Sequence, residues 1–90
     1  MIEKERFDVI VDENGEFLTD WDLLIKLKEN RDLIAFRDHI PSYAVARSNW
    51  LVLLATYKPK NEEECSSIRG LIPSFYLKYG KELIELINQP

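Results

Sequence analysis

The residue types that most often carry catalysis or bind metals are few in this 90-residue chain. It holds one histidine, His39, and one cysteine, Cys65. A structural zinc ion takes four ligands, and these two side chains leave such a site short of donors. Glutamates occupy positions 62–64, directly after Asn61, where the dipole of a helix N-terminus favours negative charge and explains them without a metal. The sequence therefore predicts no catalytic residue, no metal site and no cofactor.

Basic side chains offer a different chemistry, the neutralisation of phosphates. Arg47, Lys58 and Lys60 flank a predicted central helix, and Lys78 lies on the outer face of the last predicted helix. A few such cations suffice for weak nucleic-acid binding, with an affinity that falls as salt rises. Lysines are common on the surface of every soluble protein, so a solvated helix face is the alternative interpretation of each one.

The charge is distributed unevenly along the chain. The net charge is −4, from 16 acidic and 12 basic side chains. Residues 1–22 contain eight of the acidic and two of the basic ones, which leaves eight acidic and ten basic side chains for residues 23–90. The acidity thus belongs to the N-terminal segment, and the remainder is mildly basic. This balance is compatible with weak phosphate binding but differs from the strongly basic face of a tight nucleic-acid binder.

Length and hydropathy favour a small single domain inside the cell. Ninety residues suit one domain and leave little room for an enzyme cleft. The longest apolar run, WLVLLA, is far below the roughly 20 residues that span a bilayer, and the acidic N-terminus is unlike a secretory signal. A single cysteine favours a reducing, intracellular setting, and we expect no membrane partner.

Residues 1–22 are predicted to form an acidic extension that carries a short β-hairpin. Asn14-Gly15 is a favourable two-residue hairpin turn, because both turn positions need a positive φ. Apolar and polar residues alternate from Phe7 onward, although Ile10 interrupts the alternation. Two strands alone are marginally stable, so we expect the hairpin to pack on something or to pair with another chain.

From Thr19 onward the pattern is helical. Thr19 begins a capping-box pattern at the start of a first helix that runs to about Asp38. Residues at helical spacing form its inner face: Leu23, Leu24, Leu27, Ile34 and Ala35. A second apolar stripe, formed by Trp21, Ile25 and Phe36, lies on a different face of the helix. We expect the hairpin to cover this second stripe.

Breaking and capping residues define a central helix. The connector 38–45 is interrupted by Pro41, and a short helical turn fits after it. Ser48 is predicted to cap a helix that is apolar on all sides over residues 50–55, which is typical of a buried helix. Pro59 ends that helix.

Two further helices complete the predicted fold. Asn61 caps the first of them, and Gly70 ends it. The last helix begins near Pro73, where a missing N–H is tolerated. Its inner face consists of Tyr76, Tyr79, Leu83, Ile84 and Ile87. The helical part of the chain is therefore predicted over residues 23–88.

In this order the segments resemble the HRDC domain, the accessory helical module near the C-termini of RecQ-type helicases and RNase D-type nucleases. The resemblance covers about residues 23–88. It depends on a succession of landmarks: Leu27, Arg31, Ala35, Pro41, Tyr43, Leu51, Ala55, Pro59, Ile68, Gly70, Tyr79-Gly80 and Ile87. It implies an all-α fold, a compact five-helix bundle of SAM-like orthogonal helices, with the N-terminal hairpin appended.

The resemblance also implies a function. HRDC domains lack catalytic residues and help a larger enzyme, here expected to be an ATP-dependent RecQ-like helicase, to engage nucleic acid. The expected ligand is single-stranded or branched DNA, bound weakly, with RNA as an alternative. Other domains of the parent helicase or nuclease are the expected protein partners.

Three residues match positions of the family's nucleic-acid surface. Lys28 and Arg31 match basic positions of the first helix, and Tyr43 matches an aromatic residue beside that surface. Stacking of a base on an aromatic side chain is worth roughly 1–3 kcal/mol. The alternative interpretations are a solvated helix face for Lys28 and Arg31, with a contact of Arg31 to a glutamate or a carbonyl, and a Tyr43 that seals the connector onto the core. We expect any nucleic-acid contact to centre on Tyr43, Arg47 and Lys58.

The turn before the last helix departs from the family pattern. That turn commonly reads Gly-x-Gly with a lysine a few residues later, whereas here Gly70 is followed by Ile72 and Phe75 at those positions. A branched residue limits how closely a phosphate approaches the backbone N–H groups, and the charge of the lysine is lost. These departures favour an alternative function, a protein-interaction or regulatory module of a helicase or nuclease that has lost direct nucleic-acid binding.

Overall fold

The protein folds as a helical domain around one apolar core. The computed structural model describes residues 7–71 and 75–88. Within these ranges the α-helices are α1 (Trp21–Asp38), α2 (Ser42–Val45), α3 (Ser48–Tyr57), α4 (Glu62–Ser66) and α5 (Lys81–Ile87), and a π-helical turn, Tyr76–Gly80, leads into α5. The predicted all-α, five-helix class is confirmed.

Helix α1 is the longest element and begins one residue later than a Thr19 cap requires. The carboxylate of Asp20 accepts the N–H of Leu23 at 3.1 Å, so Asp20 is the N-cap. The helix ends at His39, whose φ of 57° places it in the left-handed region. Its buried residues are Leu24, Leu27, Arg31, Ile34 and Ala35. The predicted inner face is therefore largely correct, with an arginine added to it.

Helix α3 is the central element and runs antiparallel to α1. Leu51 and Leu54 are fully buried within it, as its all-round apolar sequence predicts. The N–H of Asp20, at the start of α1, donates to the carbonyl of Ala55 near the end of α3 at 3.2 Å. Lys58 ends α3 in the left-handed region with a φ of 47°, immediately before the buried Pro59.

Helix α4 is capped as predicted but is shorter than predicted. The side-chain oxygen of Asn61 accepts the N–H of Glu64 at 2.9 Å. The helix ends at Ser66, and turns carry the chain to Gly70, whose φ is 104°. The predicted C-cap at Gly70 is thus three residues later than the observed C-cap, Ser67. Cys65 is buried in the core, as a small apolar residue would be.

The final segment, residues 75–88, completes the packing of the core. The ring of Phe75 is buried and its centroid lies 5.2 Å from that of Trp50. Leu83 and Ile84 bury the inner face of α5. The predicted turn residue Ile72 and the predicted helix start at Pro73 lie outside the described residues.

The predicted β-hairpin is wrong for the described residues 7–20. They contain a single antiparallel bridge, between Val11 and Phe17, and no strand. The carboxylate of Asp12 accepts the N–H groups of Asn14 at 2.8 Å and Glu16 at 3.0 Å, which produces a wider loop than a two-residue turn. Pairing stops after one step because the carbonyl of Ile10 accepts the N–H groups of both Leu18 and Thr19.

This N-terminal loop, residues 7–20, is anchored to α3 by a buried threonine. The hydroxyl oxygen of Thr19 accepts the N–H of Ile10 at 2.9 Å and shares a hydrogen bond of 2.7 Å with the hydroxyl of Thr56. Phe7 and Val9 pack against the core from the same side. The loop therefore lies against the C-terminal end of α3.

The expectation that the loop covers a second stripe of α1 is wrong at two of its three positions. Trp21 is half exposed, and Phe36 has 83 % of its surface exposed. Ile25 is partly buried. Because the loop folds toward α3, both ends of the stripe remain in solvent.

Replacing Thr19 with valine tests this anchor. The change removes an acceptor from the Ile10 N–H and a partner from Thr56, so we expect the free energy of unfolding in urea to fall by about 1–2 kcal/mol. The matched variant Thr19→Ser keeps the hydroxyl and is expected to retain most of the stability. Equal stability of Thr19→Val and the unchanged protein would show that the anchor has no energetic role.

Candidate nucleic-acid interface

Helix α2 and its connection to α3 carry two exposed residues of the predicted nucleic-acid contacts. Tyr43 lies on α2 with 73 % of its surface exposed. Arg47, exposed as well, immediately precedes α3. We call residues 42–47 the α2–α3 corner. An aromatic ring and a guanidinium close together in the chain are the side chains that stack on bases and pair with phosphates.

Side chains of α1 hold this corner in place through a hydrogen-bond network. The carboxylate of Asp32 accepts hydrogen bonds from the Ser42 hydroxyl at 2.9 Å and from Lys28 at 2.9 Å. Arg31 donates to the same carboxylate at 3.0 Å and reaches the carbonyl of Ala46 at 3.5 Å. Ser42 begins α2 and Ala46 follows its end, so α1 fixes both ends of the short helix.

The surroundings of Asp32 determine its charge. Burial, the largest single influence, raises its pKa, but hydrogen bonds from Lys28 and Ser42 and the positive charge of Arg31 together outweigh burial. The pKa of Asp32 is therefore lowered from its ordinary value of 3.8, and the carboxylate is ionised at neutral pH.

Two of the predicted contacts belong to this network. Arg31 has only 3 % of its surface exposed, so the structure places it beneath the interface and not on it. It contacts the Asp32 carboxylate and the Ala46 carbonyl, so the carbonyl contact of the alternative interpretation is present but its solvated helix face is wrong for Arg31. Lys28 is about one-third exposed and its ammonium is paired with Asp32.

The remaining predicted cations lie elsewhere on the molecule. Lys58 and Lys60 follow the other end of α3, about 15 Å from Arg47 for a ten-residue helix. Lys58 also forms an ion pair of 3.1 Å with Asp20. Lys78 is exposed in the π-helical turn before α5. The predicted set thus divides into the corner, the far end of α3 and the last helix.

The structure adds exposed aromatic residues that the sequence interpretation missed. Phe36, in the last turn of α1, precedes Tyr43 by seven residues and was assigned to a covered stripe. Tyr57 and Arg69 line a cleft of about 410 Å³ between the end of α3 and α4. In that cleft Glu64 accepts the Lys60 N–H at 3.2 Å. The signal for Phe36 was its apolar position on the second stripe of α1, which the sequence predicts to be covered by the hairpin.

The described residues on both sides of the turn that carries Gly70 pack into the core. Phe75, at the position where the family commonly has a lysine, is buried against Trp50. The Cβ of any larger residue at Gly80 would lie 3.0 Å from the Phe75 ring, so this glycine allows the ring to fit. The described part of the turn is filled by core side chains.

The described ranges contain neither a cluster of metal ligands nor a membrane-spanning helix. Within residues 7–71 and 75–88, no group of three or more His, Cys, Asp or Glu side chains is placed to hold a metal ion. Among the helices of those same ranges, none is both long enough and apolar enough to cross a bilayer.

The sequence model of the HRDC domain matches residues 21–87, from the start of α1 to the end of α5. The chain therefore belongs to the HRDC domain family, whose members are non-catalytic accessory modules of helicases and nucleases. No curated protein matches the chain. The N-terminal loop of residues 7–20 lies before the matched region.

Replacing Asp32 with asparagine tests the corner network. The variant removes an anionic partner of the buried Arg31, so we expect the free energy of unfolding at pH 7 to fall by roughly 1.5–3 kcal/mol. Because the pKa of Asp32 is lowered by folding, the stabilisation is present above pH 3.8 and is lost as pH falls further. The difference between the two proteins should therefore shrink in urea titrations below pH 3.8.

An exposed carboxylate supplies the control for that titration. Asp8→Asn changes the same charge at a solvent-exposed position and is expected to leave stability at pH 7 nearly unchanged. A pH-independent difference between Asp32→Asn and the unchanged protein would contradict the role given to the Asp32 charge.

Proposed function

We propose that this chain is the accessory nucleic-acid-binding module of a RecQ-like DNA helicase, acting inside the cell. Residues 23–88 form its helical module and residues 1–22 an acidic extension. The module holds single-stranded or branched DNA weakly through the α2–α3 corner. The observation that carries the proposal is the exposed ring of Tyr43, four residues before the exposed Arg47, on a corner that α1 fixes.

Stacking provides the main attraction in this arrangement. An aromatic ring that is already held in place loses little side-chain freedom when a base stacks on it. Tyr43 lies on a helix whose two ends are tied to α1, so the ring is presented on a supported backbone. Stacking also tolerates any base, which suits a module that follows the strand without reading its sequence.

Electrostatics makes the binding weak. Arg47 is the predicted cation of the corner itself, and Lys60 and Lys78 lie at other parts of the surface. Residues 7–22 contain six acidic and no basic side chains, and their charge opposes the approach of phosphates. We therefore propose an affinity that is useful only when a helicase motor holds the same strand nearby.

Tyr43→Ala tests the stacking contact. Loss of one stacked base corresponds to about a tenfold rise in the Kd for a fluorescent oligothymidine at low salt, within the range of about 1–3 kcal/mol per base. Tyr43→Phe keeps the ring and should bind like the unchanged chain. Because Tyr43 is exposed, neither variant should lower the melting temperature. Unaltered binding by Tyr43→Ala would place the interface elsewhere.

Arg47→Ala tests the phosphate contact through the salt dependence of binding. For single strands the slope of log K against log salt decreases by about 0.7 for each phosphate contact removed. We expect that decrease for Arg47→Ala and none for Tyr43→Ala, since the tyrosine carries no charge. A competition with oligouridine in the same titration compares RNA with DNA. Equal salt slopes for Arg47→Ala and the unchanged chain would remove Arg47 from the interface.

A further inference from the structure

Residues 11–21 expose several large apolar side chains that lie close together in the chain. We call the surface formed by Val11, Phe17, Leu18, Trp21 and the acidic residues around them the acidic–apolar patch. Phe17 has 70 % of its surface exposed, and Leu18 and Trp21 each have 52 %. A monomeric protein seldom leaves such side chains clustered in water, and large exposed apolar patches mark interaction sites.

This exposure occurs on a firmly anchored backbone. The Val11–Phe17 bridge is flanked by hydrogen bonds from Leu18 N–H to the Ile10 carbonyl and from Asp12 N–H to the Glu16 carbonyl, both 2.8 Å. The loop is joined to α3 by the buried Thr19 hydroxyl. The apolar side chains are thus presented in a fixed arrangement, which reduces the entropy lost when a partner binds.

The acidic–apolar patch is predominantly acidic, although Lys58 pairs with Asp20 and Lys26 lines the same recess as these two residues. Its acidic residues, over positions 7–22, are Asp8, Asp12, Glu13, Glu16, Asp20 and Asp22, and no basic residue occurs in that range. Asp12 is used within the loop, and Asp20 caps α1 and pairs with Lys58. The side chains of Asp8, Glu13, Glu16 and Asp22 are exposed to solvent.

We propose that the acidic–apolar patch docks a basic segment of a partner protein that carries apolar side chains between its lysines or arginines. Protein interfaces typically combine aromatic anchors with a surrounding polar rim. A phosphate backbone or an anionic membrane is repelled by the carboxylates. A second copy of this chain would bring six further acidic residues against the same surface.

The position of the patch separates it from the α2–α3 corner. The patch lies at the end of α3, where Asp20 contacts Ala55, whereas the corner precedes the start of α3. Nucleic acid and a basic protein segment therefore bind at opposite ends of one helix. The inference does not depend on DNA binding, because the two surfaces share no residue.

The direct test uses the full chain and three labelled synthetic 12-residue peptides. One alternates lysine with leucine, one alternates glutamate with leucine, and one alternates lysine with serine. Fluorescence anisotropy should show binding of the lysine–leucine peptide that weakens with salt, and at least tenfold weaker binding of the other two. Equal binding of the glutamate–leucine peptide, or no binding of the lysine–leucine peptide at millimolar protein, would overturn the proposal.

Substitutions locate the binding. The double variant Phe17→Ser and Trp21→Ser should weaken binding of the lysine–leucine peptide at least tenfold. Leu77→Ser changes a residue 77 % exposed outside the patch and should leave that binding unchanged. The variant Glu13→Lys with Glu16→Lys changes only exposed positions and should weaken binding and reduce its salt dependence. An equal loss with Leu77→Ser would overturn the assignment.

Two control measurements complete the test. Binding of oligothymidine by the Phe17→Ser and Trp21→Ser variant should equal that of the unchanged chain, which separates this site from the corner. Sedimentation equilibrium of the chain without peptide should show a monomer. A dimer that the Trp21→Ser change dissociates would mean that a second copy covers the patch, and this result would contradict the basic partner.

Discussion

The buried guanidinium of Arg31 is the interaction on which the candidate interface depends. A charge inside an apolar core is tolerated only when hydrogen-bonded partners surround it, and removing one partner is costly. Arg31 has Asp32 on its own helix and the Ala46 carbonyl across the core. Asp32 in turn accepts the hydroxyl of Ser42. These requirements fix where α2 lies against α1, and hence where the Tyr43 ring is presented to solvent.

The two ends of helix α3 carry surface regions that differ in charge. The corner before its start presents an aromatic ring and a guanidinium, while the loop against its end presents aromatic rings among carboxylates. This arrangement suits an accessory module of the HRDC family, because under the proposals made above its two ends hold a nucleic-acid strand and a protein partner near the parent enzyme. Core side chains occupy the described part of the turn after α4, so the proposed contacts lie elsewhere.

Local signals in the sequence predict most helix boundaries. They do not predict which backbone groups a polar side chain will bond. Asn61 and Pro59 mark their boundaries through their own chemistry, and the structure follows both. The hairpin failed because the Asp12 carboxylate captured the turn amides, which strand alternation does not reveal. Helical spacing does place Arg31 between Leu27 and Ile34 on the inner face, but its partner at Ala46 is known only once α3 is packed.

The most direct measurement of the central claim is the salt dependence of oligothymidine binding by Arg31→Met, compared with the unchanged chain. If Arg31 supports the corner from beneath, the variant loses affinity because the Tyr43 ring on α2 is no longer held in place. Arg47, at the start of α3, keeps its phosphate contact, so the slope of log K against log salt stays the same. A slope reduced by about 0.7, with the fold intact by circular dichroism, would mean that Arg31 itself neutralises a phosphate of the single strand. That result, or an affinity equal to that of the unchanged chain, would contradict the account.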